Sequence, residues 1–268
     1  MGFTELADRV WVTAPEPGVP TVTAVAGTAG LLLVDAPGSP SGGRLVEEVR
    51  RLAAGPVASV VLTHAHLPHV AGASALREGY ADRPVVVAHE TAAAELAAAV
   101  ATGTPGVPAA DRTFSSALAL DLGDRVVELV HPGRAHTAGD LVVRVPDCDL
   151  LVVGDVVAAT GPPAYGPDCW PLDWPGALDV VLQLLTASSV VVPGHGRPVD
   201  RDAVEEHRAG TGIVAELVRD AAGRGVPVDD ALAGTDWPWP REALVEAVRR
   251  GFAQLPPHRR RLPLLRDG

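Results

Sequence analysis

Lysine is absent from this chain of 268 residues, so all 22 of its basic side chains are arginines. Acidic residues number 33, and the formal net charge at pH 7 is therefore −11. A surface with this charge repels phosphate backbones, so we expect no nucleic-acid partner. The apolar fraction of 47% is ample for a buried core, and the length suits one large domain or a domain with a small appendage.

Cysteine and long apolar runs are also scarce. The two cysteines, Cys148 and Cys169, do not make a disulfide framework, which fits a reducing compartment. Residues 1–12 show neither the basic start nor the apolar segment of a signal peptide. No stretch approaches the roughly 18 uninterrupted apolar residues of a membrane helix. We therefore expect a cytoplasmic protein with a small-molecule substrate and no membrane partner, and the oligomeric state stays unknown.

The order of apolar patterns predicts an α/β protein. Strand-like runs alternate with helical patterns in the first half, and two hairpins follow a Pro/Gly loop near residues 103–108. Two mixed β halves, each flanked by helices, predict a four-layer αββα sandwich over residues 1–200. Residues 201–268 read as a helical C-terminal extension packed on the sandwich, with a flexible, solvated tail from residue 256.

Residues with metal-binding chemistry follow the predicted strands. Three histidines crowd the segment "THAHLPHV" at residues 63–70, and further histidines and an aspartate follow later strands. In an extended segment, residues i and i+2 point the same way, so His64 and His66 can reach one ion, and a turn would aim His69 at a second. Imidazole and carboxylate groups suit Zn²⁺, Fe²⁺ or Mn²⁺. The candidate ligands are His64, His66, His69, His136, Asp155 and His195.

The order of "THAHLPH", "HTAGD", "GD" and "PGHG" resembles that of the metallo-β-lactamase superfamily over about residues 5–200. The resemblance implies an αββα sandwich with metal ions, usually zinc, at one edge of the paired sheets. It also implies a hydrolase in which a metal-bound hydroxide attacks the carbonyl group of a thioester, lactone, ester or β-lactam. By resemblance, one metal is held by His64, His66 and His136, a second by His69 and His195, and Asp155 bridges the two.

Pro68 departs from the family pattern His-x-His-x-Asp-His. The family's aspartate binds the second metal and orients the attacking hydroxide, and a proline side chain can do neither. Proline also favours an extended conformation at Leu67. We therefore expect one firm zinc site and a second that is weak or absent, with iron or manganese as alternative metals. In such an enzyme, Asp155 or His195 is the candidate catalytic proton acceptor.

Two aspartates are expected to support the metal ligands. Asp35 and Asp140 recur near the metal centre in the family, and we expect each to hydrogen-bond to a metal-binding histidine. The alternative is simple turn chemistry. Cys169 could replace a missing ligand but is expected to be an inert thiol. His207 and His258 are expected to lie at the surface.

An aromatic loop follows Asp155 in the sequence. Its residues Tyr165, Trp170 and Trp174 are candidates for lining an apolar substrate site. The alternative is that these rings pack the loop onto the start of the next helix.

Three classes of function remain open at this stage. The preferred one is a metallohydrolase. A mono-iron, sulfur dioxygenase-like oxidoreductase is the first alternative, because some members of the family hold a single iron and a site of histidines with Asp155 suits it. The second is a catalytically degenerate accessory protein that binds a metal or ligand, because Pro68 removes a group that contacts the metal.

Overall fold

A computed structural model of the chain describes residues 2–38, 43–52 and 54–256. The predicted flexible tail lies outside the described residues beyond Pro256, and so does His258. No helix of the described part is long and apolar enough to cross a membrane.

The first sheet contains seven strands in sequence order. Strands β1 to β4 pair antiparallel, whereas β4 to β7 pair parallel. Its strands are β1 (Phe3–Ala7), β2 (Val10–Thr13), β3 (Thr23–Gly27), β4 (Gly30–Val34), β5 (Val57–Val61), β6 (Val85–His89) and β7 (Arg112–Phe114).

The second sheet has five strands in the order β12-β11-β10-β9-β8. Strands β8 to β11 pair antiparallel, and β11 pairs parallel with β12. These strands are β8 (Ala117–Asp121), β9 (Val126–Val130), β10 (Val142–Val145), β11 (Leu150–Gly154) and β12 (Val190–Pro193). The two hairpins predicted from the sequence are therefore confirmed.

Helices cover the outer faces of both sheets. They are α1 (Gly43–Leu52), α2 (Leu67–Val70), α3 (Ala73–Gly79), α4 (Glu90–Ala101), α5 (Trp174–Leu184), α6 (Arg201–Gly223), α7 (Val228–Gly234) and α8 (Val245–Gln254).

Three apolar cores separate these layers and establish the αββα sandwich. One core lies between the sheets, where Leu32 and Val61 meet Val127 and Val152. A second joins the first sheet to α1, α3 and α4. A third joins the second sheet to α5, α6 and α8, so the C-terminal helices share the core of the sandwich. The predicted fold class is confirmed. Its physical reason is that each sheet has apolar residues on both faces, and each face requires a covering layer.

A buried arginine ties the two sheets at one edge. Arg125, which precedes β9, is 4% exposed and pairs with Asp147 on its own sheet. It also donates to the carbonyl oxygens of Asp8 and Ala26 on the first sheet. A buried guanidinium requires such partners, since each unmatched N–H costs about 1–3 kcal/mol or more. The relative position of the sheets is therefore fixed by hydrogen bonds as well as by apolar packing.

His207 lies inside the protein, so the expectation that it is at the surface was wrong. It is 5% exposed on the inner face of α6, with its ring centroid 6.1 Å from that of Trp239. The amphipathic pattern of α6 turns this position toward the core, and its Nε2 has no hydrogen-bond partner among the described residues. A small cavity of about 210 Å³ lies here, bounded by His207, Trp239 and the loop 158–161.

Burial of His207 predicts an acid-sensitive contribution to stability. Burial lowers the pKa of His207 to about 4, so the unfolded chain binds its proton at a higher pH than the folded chain does. The free energy of unfolding should therefore fall as the pH drops from about 6.5 to about 4, by up to roughly 3 kcal/mol.

Denaturant unfolding at several pH values checks this contribution. His207→Leu and His207→Gln should both reduce the loss of stability between pH 6.5 and 4 relative to the original chain. The glutamine variant controls for loss of a polar group without a titrating proton. Parallel stability curves for all three proteins would contradict the assignment.

Candidate metal centre

The candidate ligands lie where strands of both sheets end at one edge of the sandwich. Asp35 directly follows β4, and His64 follows β5, its parallel neighbour. Asp155 directly follows β11, and His195 follows β12, again a parallel pair. The carboxyl ends of parallel strands meet at the same edge, so the topology gathers these residues. His136 joins them from the loop between β9 and β10.

The segment around Pro68 forms one helical turn. The expected extended conformation at Leu67 was wrong, because Leu67–Val70 is the short helix α2 with His66 extended before it. Hydrogen bonds from His69 N to His66 O and from Ala71 N to Leu67 O hold the turn. Proline is tolerated in a first helical turn, where its missing N–H is not needed. Pro68 is exposed, and the turn directs His69 into the protein, where it is 1% exposed.

Three histidine nitrogens converge on one point. Nδ1 of His66 lies 2.9 Å from Nε2 of His136, and Nε2 of the buried His64 has no hydrogen-bond partner among the described residues. The ligand atoms of all three lie within 4.8 Å of one another. A buried imidazole nitrogen without a partner is costly, and a cation at the centre of this group would satisfy it. The three residues therefore fit a metal ion of the kind that imidazole prefers.

A second group of donors lies beside the first. Nε2 of His69 is 3.3 Å from Nε2 of His195, which is close to the roughly 3.3–3.4 Å that separates two nitrogens about 2.0–2.1 Å from one tetrahedral zinc. Oδ2 of Asp155 lies 3.5 Å from Nε2 of His69 and 3.6 Å from Nε2 of His136. His64 also lies within reach of His69 and Asp155. Asp155 thus stands between the two groups, as a bridging carboxylate would.

Two glycines allow this close approach. A side chain at Gly194 would collide with the carboxylate of Asp155 and the ring of His69. Gly154 has a φ of 53° and lies against Thr63, in a conformation that glycine adopts at little cost. Glycine at these two positions therefore has a steric reason.

Asp35 sets the orientation of two histidines. Its carboxylate accepts hydrogen bonds from the backbone N–H of Thr63 at 2.8 Å and from the Thr63 hydroxyl at 2.9 Å. Since that hydroxyl proton is used, Thr63 Oγ1 accepts from Nδ1–H of His64 at 3.0 Å. Nδ1 of His69 lies 2.8 Å from the same carboxylate. Both rings therefore turn Nε2 inward, which agrees with the supporting role predicted for Asp35.

Asp168 holds a third histidine and was missed in the sequence. Its Oδ2 lies 2.9 Å from Nε2 of His66, so Nδ1 of that ring is left to face His136. This hydrogen bond lowers the pKa of Asp168 against the opposing effect of burial, and it raises the pKa of His66. A lone aspartate in a Pro/Gly-rich loop has no periodicity or spacing that identifies it. Only the position of the loop beside the second histidine reveals its role.

Asp140 does not support a histidine in the way predicted. In the described part of the chain its carboxylate accepts from the backbone N–H and the hydroxyl of Thr137, not from an imidazole. Burial, partly opposed by these bonds, raises the pKa of Asp140 to about 7. The tight turn of Thr137 to Asp140 places Thr137 within reach of its own acceptor, which is the turn chemistry weighed as the alternative. Asp140 fixes the turn that follows His136.

The aromatic side chains expected to line a substrate site mostly do not. Trp174 is fully buried at the start of α5 and donates its indole N–H to Val156 O. Tyr165 packs on it with ring centroids 5.0 Å apart. Trp170 lies under the guanidinium of Arg134, 3.9 Å from its ring centroid. The two buried rings, Tyr165 and Trp174, therefore pack the loop onto the helix, as the alternative predicted, because their large apolar area favours burial.

Cys169 is buried beside Asp168. Burial raises the pKa of its thiol to about 12, so it is not a thiolate at neutral pH. This agrees with an inert thiol.

The buried carboxylates and imidazoles are strongly coupled. Burial would lower the pKa of His69, but the carboxylates of Asp35 and Asp155 outweigh it and raise this pKa to about 10. Burial and the neighbouring rings hold the pKa of His64 well below its usual value. The protein therefore concentrates negative charge where His69 and Asp155 meet, which favours a bound cation.

A cavity of about 530 Å³ opens beside these residues. Asp155, His195 and Gly196 form part of its lining, and the rest comes from the β2–β3 loop and the loop after Asp155. The volume lies within the usual range for small-molecule sites, about 300–1,000 Å³.

Comparison with known proteins places these features in a known context. A family model described as "Metallo-beta-lactamase superfamily" matches residues 15–197. A metallo-beta-lactamase type 2 from Bacillus cereus is 30% identical over 211 residues, covering 75% of this chain and 78% of the relative. The alpha subunit of a 2,4-dinitroanisole O-demethylase from Nocardioides sp. (strain JS1661) is 27% identical, covering 83% of this chain and 66% of that subunit.

Solved structures share the fold. A metallo-beta-lactamase from Pontibacter korlensis superposes with a TM-score of 0.67 at 25% identity, over 78% of this chain and 98% of the other. A stereoselective inverting sec-alkylsulfatase from Pseudomonas sp. superposes with a TM-score of 0.76 at 15% identity, over 94% of this chain and 49% of the other. Coverage of 94% extends the likeness of fold into the C-terminal helices.

Loss of the charge on Asp168 should weaken metal binding. Asp168→Asn keeps the shape of the side chain and one acceptor but removes the negative charge behind His66, so the affinity for Zn²⁺ should fall about 10–100-fold. Competition with a chromophoric chelator measures this affinity. Asp179→Asn is the matched control, because Asp179 pairs with Arg208 on the outer helices. Equal affinities in Asp168→Asn and the control would contradict the role.

Proposed function

The chain belongs to the metallo-beta-lactamase superfamily, and we propose that it is a metal-dependent hydrolase that cleaves a small molecule at a carbonyl group. The observation that carries this proposal is the inward convergence of His64, His66 and His136 around an unpartnered, buried nitrogen. Thioesters, lactones, esters and β-lactams are the substrate classes that we consider.

The two groups of candidate metal ligands differ in the number of donors that they offer. His64, His66 and His136 would hold one ion, with Asp155 able to complete four ligands, and zinc prefers four. His69 and His195 would share Asp155 for a second ion, and Pro68 contributes no donor there. Asp168 adds negative charge behind His66 of the first group, and Asp35 adds it behind His69 of the second, so the asymmetry rests on the number of donors. We therefore propose one firm metal site, at the first group.

The chain's own residues divide the remaining work. When bound, the metal would supply Lewis acidity and lower the pKa of a water molecule toward neutrality. His195 has the most exposed side chain of the six candidate ligands, at 42%, and it lines the cavity. An imidazole in this position can accept a proton at Nε2, 3.7 Å from Oδ2 of Asp155. The cavity walls would exclude bulk water from the substrate.

Metal analysis tests the asymmetry. Protein purified without added metal should hold one tightly bound equivalent per chain, with zinc expected, and Pro68→Asp should raise the stoichiometry toward two because it returns a carboxylate to the second group. Elemental analysis after gel filtration measures both. Two tight equivalents in the original chain would contradict a single firm site.

Kinetics tests the hydrolase itself. The loaded protein should hydrolyse at least one member of a panel of carbonyl substrates, and His64→Ala should abolish both metal binding and turnover. His195→Ala should lower kcat about 10²–10⁴-fold while the first metal is retained, since it removes a proton acceptor rather than a ligand of that ion.

The same panel gives the outcome that would refute the proposal. Metal-loaded protein that turns over no substrate, and that gains no activity from Pro68→Asp, would point to a binding protein instead.

A further inference from the structure

The cavity beside the candidate metal centre has apolar walls made of small side chains. Two segments supply them, the β2–β3 loop and the loop that follows Asp155. The wall residues are Pro15, Pro17, Val157, Ala158, Ala159 and Pro162. Such walls offer contact area without hydrogen-bond donors or acceptors, so they favour an apolar group.

Among the described residues that line the cavity, the charged or titratable side chains are Asp155, Glu16 and the candidate ligand His195. Asp155 lies at the inner end of the cavity. The chain has no lysine, and no arginine belongs to the lining among the described residues. A substrate carboxylate or phosphate placed along these walls, away from the proposed metal at the inner end, would lose its hydration. No cationic side chain of the described lining would replace that hydration, which costs several kcal/mol in general.

We propose that this cavity binds the neutral, apolar acyl chain of an ester or lactone and discriminates against anionic substrates such as carboxylate-bearing β-lactams and phosphate-bearing thioesters. This proposal rests on the proposed hydrolase function and narrows its substrate class.

Matched esters test the proposal. Hydrolysis of p-nitrophenyl hexanoate is compared with that of p-nitrophenyl hydrogen adipate, whose acyl chain also has six carbons but ends in a carboxylate instead of a methyl group. We expect kcat/KM for the neutral ester to be at least tenfold higher. Along the series acetate, butyrate and hexanoate, kcat/KM should rise about fourfold per added methylene, which is about 0.8 kcal/mol each.

High salt and a charge variant distinguish the effect of the cavity on substrate preference from the effect of the acidic protein surface. At 0.5 M salt the Debye length falls to about 4 Å, so repulsion from the distant acidic surface is screened and a preference that persists belongs to the cavity. Thr160, an exposed residue at the cavity rim, is suited to substitution. Thr160→Arg should reduce the preference for the neutral ester several-fold, whereas Thr160→Gln, which adds length without charge, should keep it.

A binding experiment that needs no turnover tests the cavity proposal independently of the proposed hydrolase activity. The non-hydrolysable pair 2-octanone and 7-oxooctanoate is tested for the ability to raise the midpoint of thermal unfolding. Stabilisation by the ketone alone supports the cavity assignment even when no ester is cleaved. Equal or faster cleavage of the adipate ester at high salt, no gain with chain length, or stabilisation by 7-oxooctanoate as strong as by 2-octanone would overturn it.

Discussion

The carboxylate of Asp35 is the constraint on which the centre depends. It accepts from Thr63 twice and from His69 once, and through the Thr63 hydroxyl it also fixes the ring of His64. Its backbone has a φ of 63°, a conformation that aspartate tolerates better than most residues. One buried acid at the end of a central strand thereby decides which nitrogen each of two imidazoles presents, before any metal arrives.

That constraint works only because two sheets end at the same place. Strands β4 and β5 deliver Asp35 and His64 from one sheet, and β11 and β12 deliver Asp155 and His195 from the other. The apolar core between the sheets and the hydrogen bonds of Arg125 at another edge hold the sheets in register. A shift of the sheets by about 1 Å would separate donors that now lie about 3 Å apart, so packing far from the centre sets its geometry.

The sequence predicts the fold better than the details of the site. Apolar periodicity and strand-end histidines suffice for the αββα layers and for the six candidate ligands, because both depend on short-range patterns. The role of Asp168 escapes such reading, since its contact with His66 joins residues far apart in the chain. The burial and the hydrogen-bond partners of Trp174, Asp140 and His207 likewise depend on packing that no local pattern specifies. Leu67 shows the reverse case, where a local rule about proline yields to hydrogen bonds of the turn.

The small cavity under the loop 158–161 allows substitutions far from the candidate metal centre to alter the cavity beside that centre. One side of that loop faces the centre, and the other rests near His207 of α6 and Trp239, which lies between α7 and α8. Substitutions on those helices can therefore reshape the wall from behind while every metal-binding residue stays as it is. The C-terminal helices support the cavity wall from behind. Repacking these helices can therefore change the substrate preference without any substitution at the residues that carry out the chemistry.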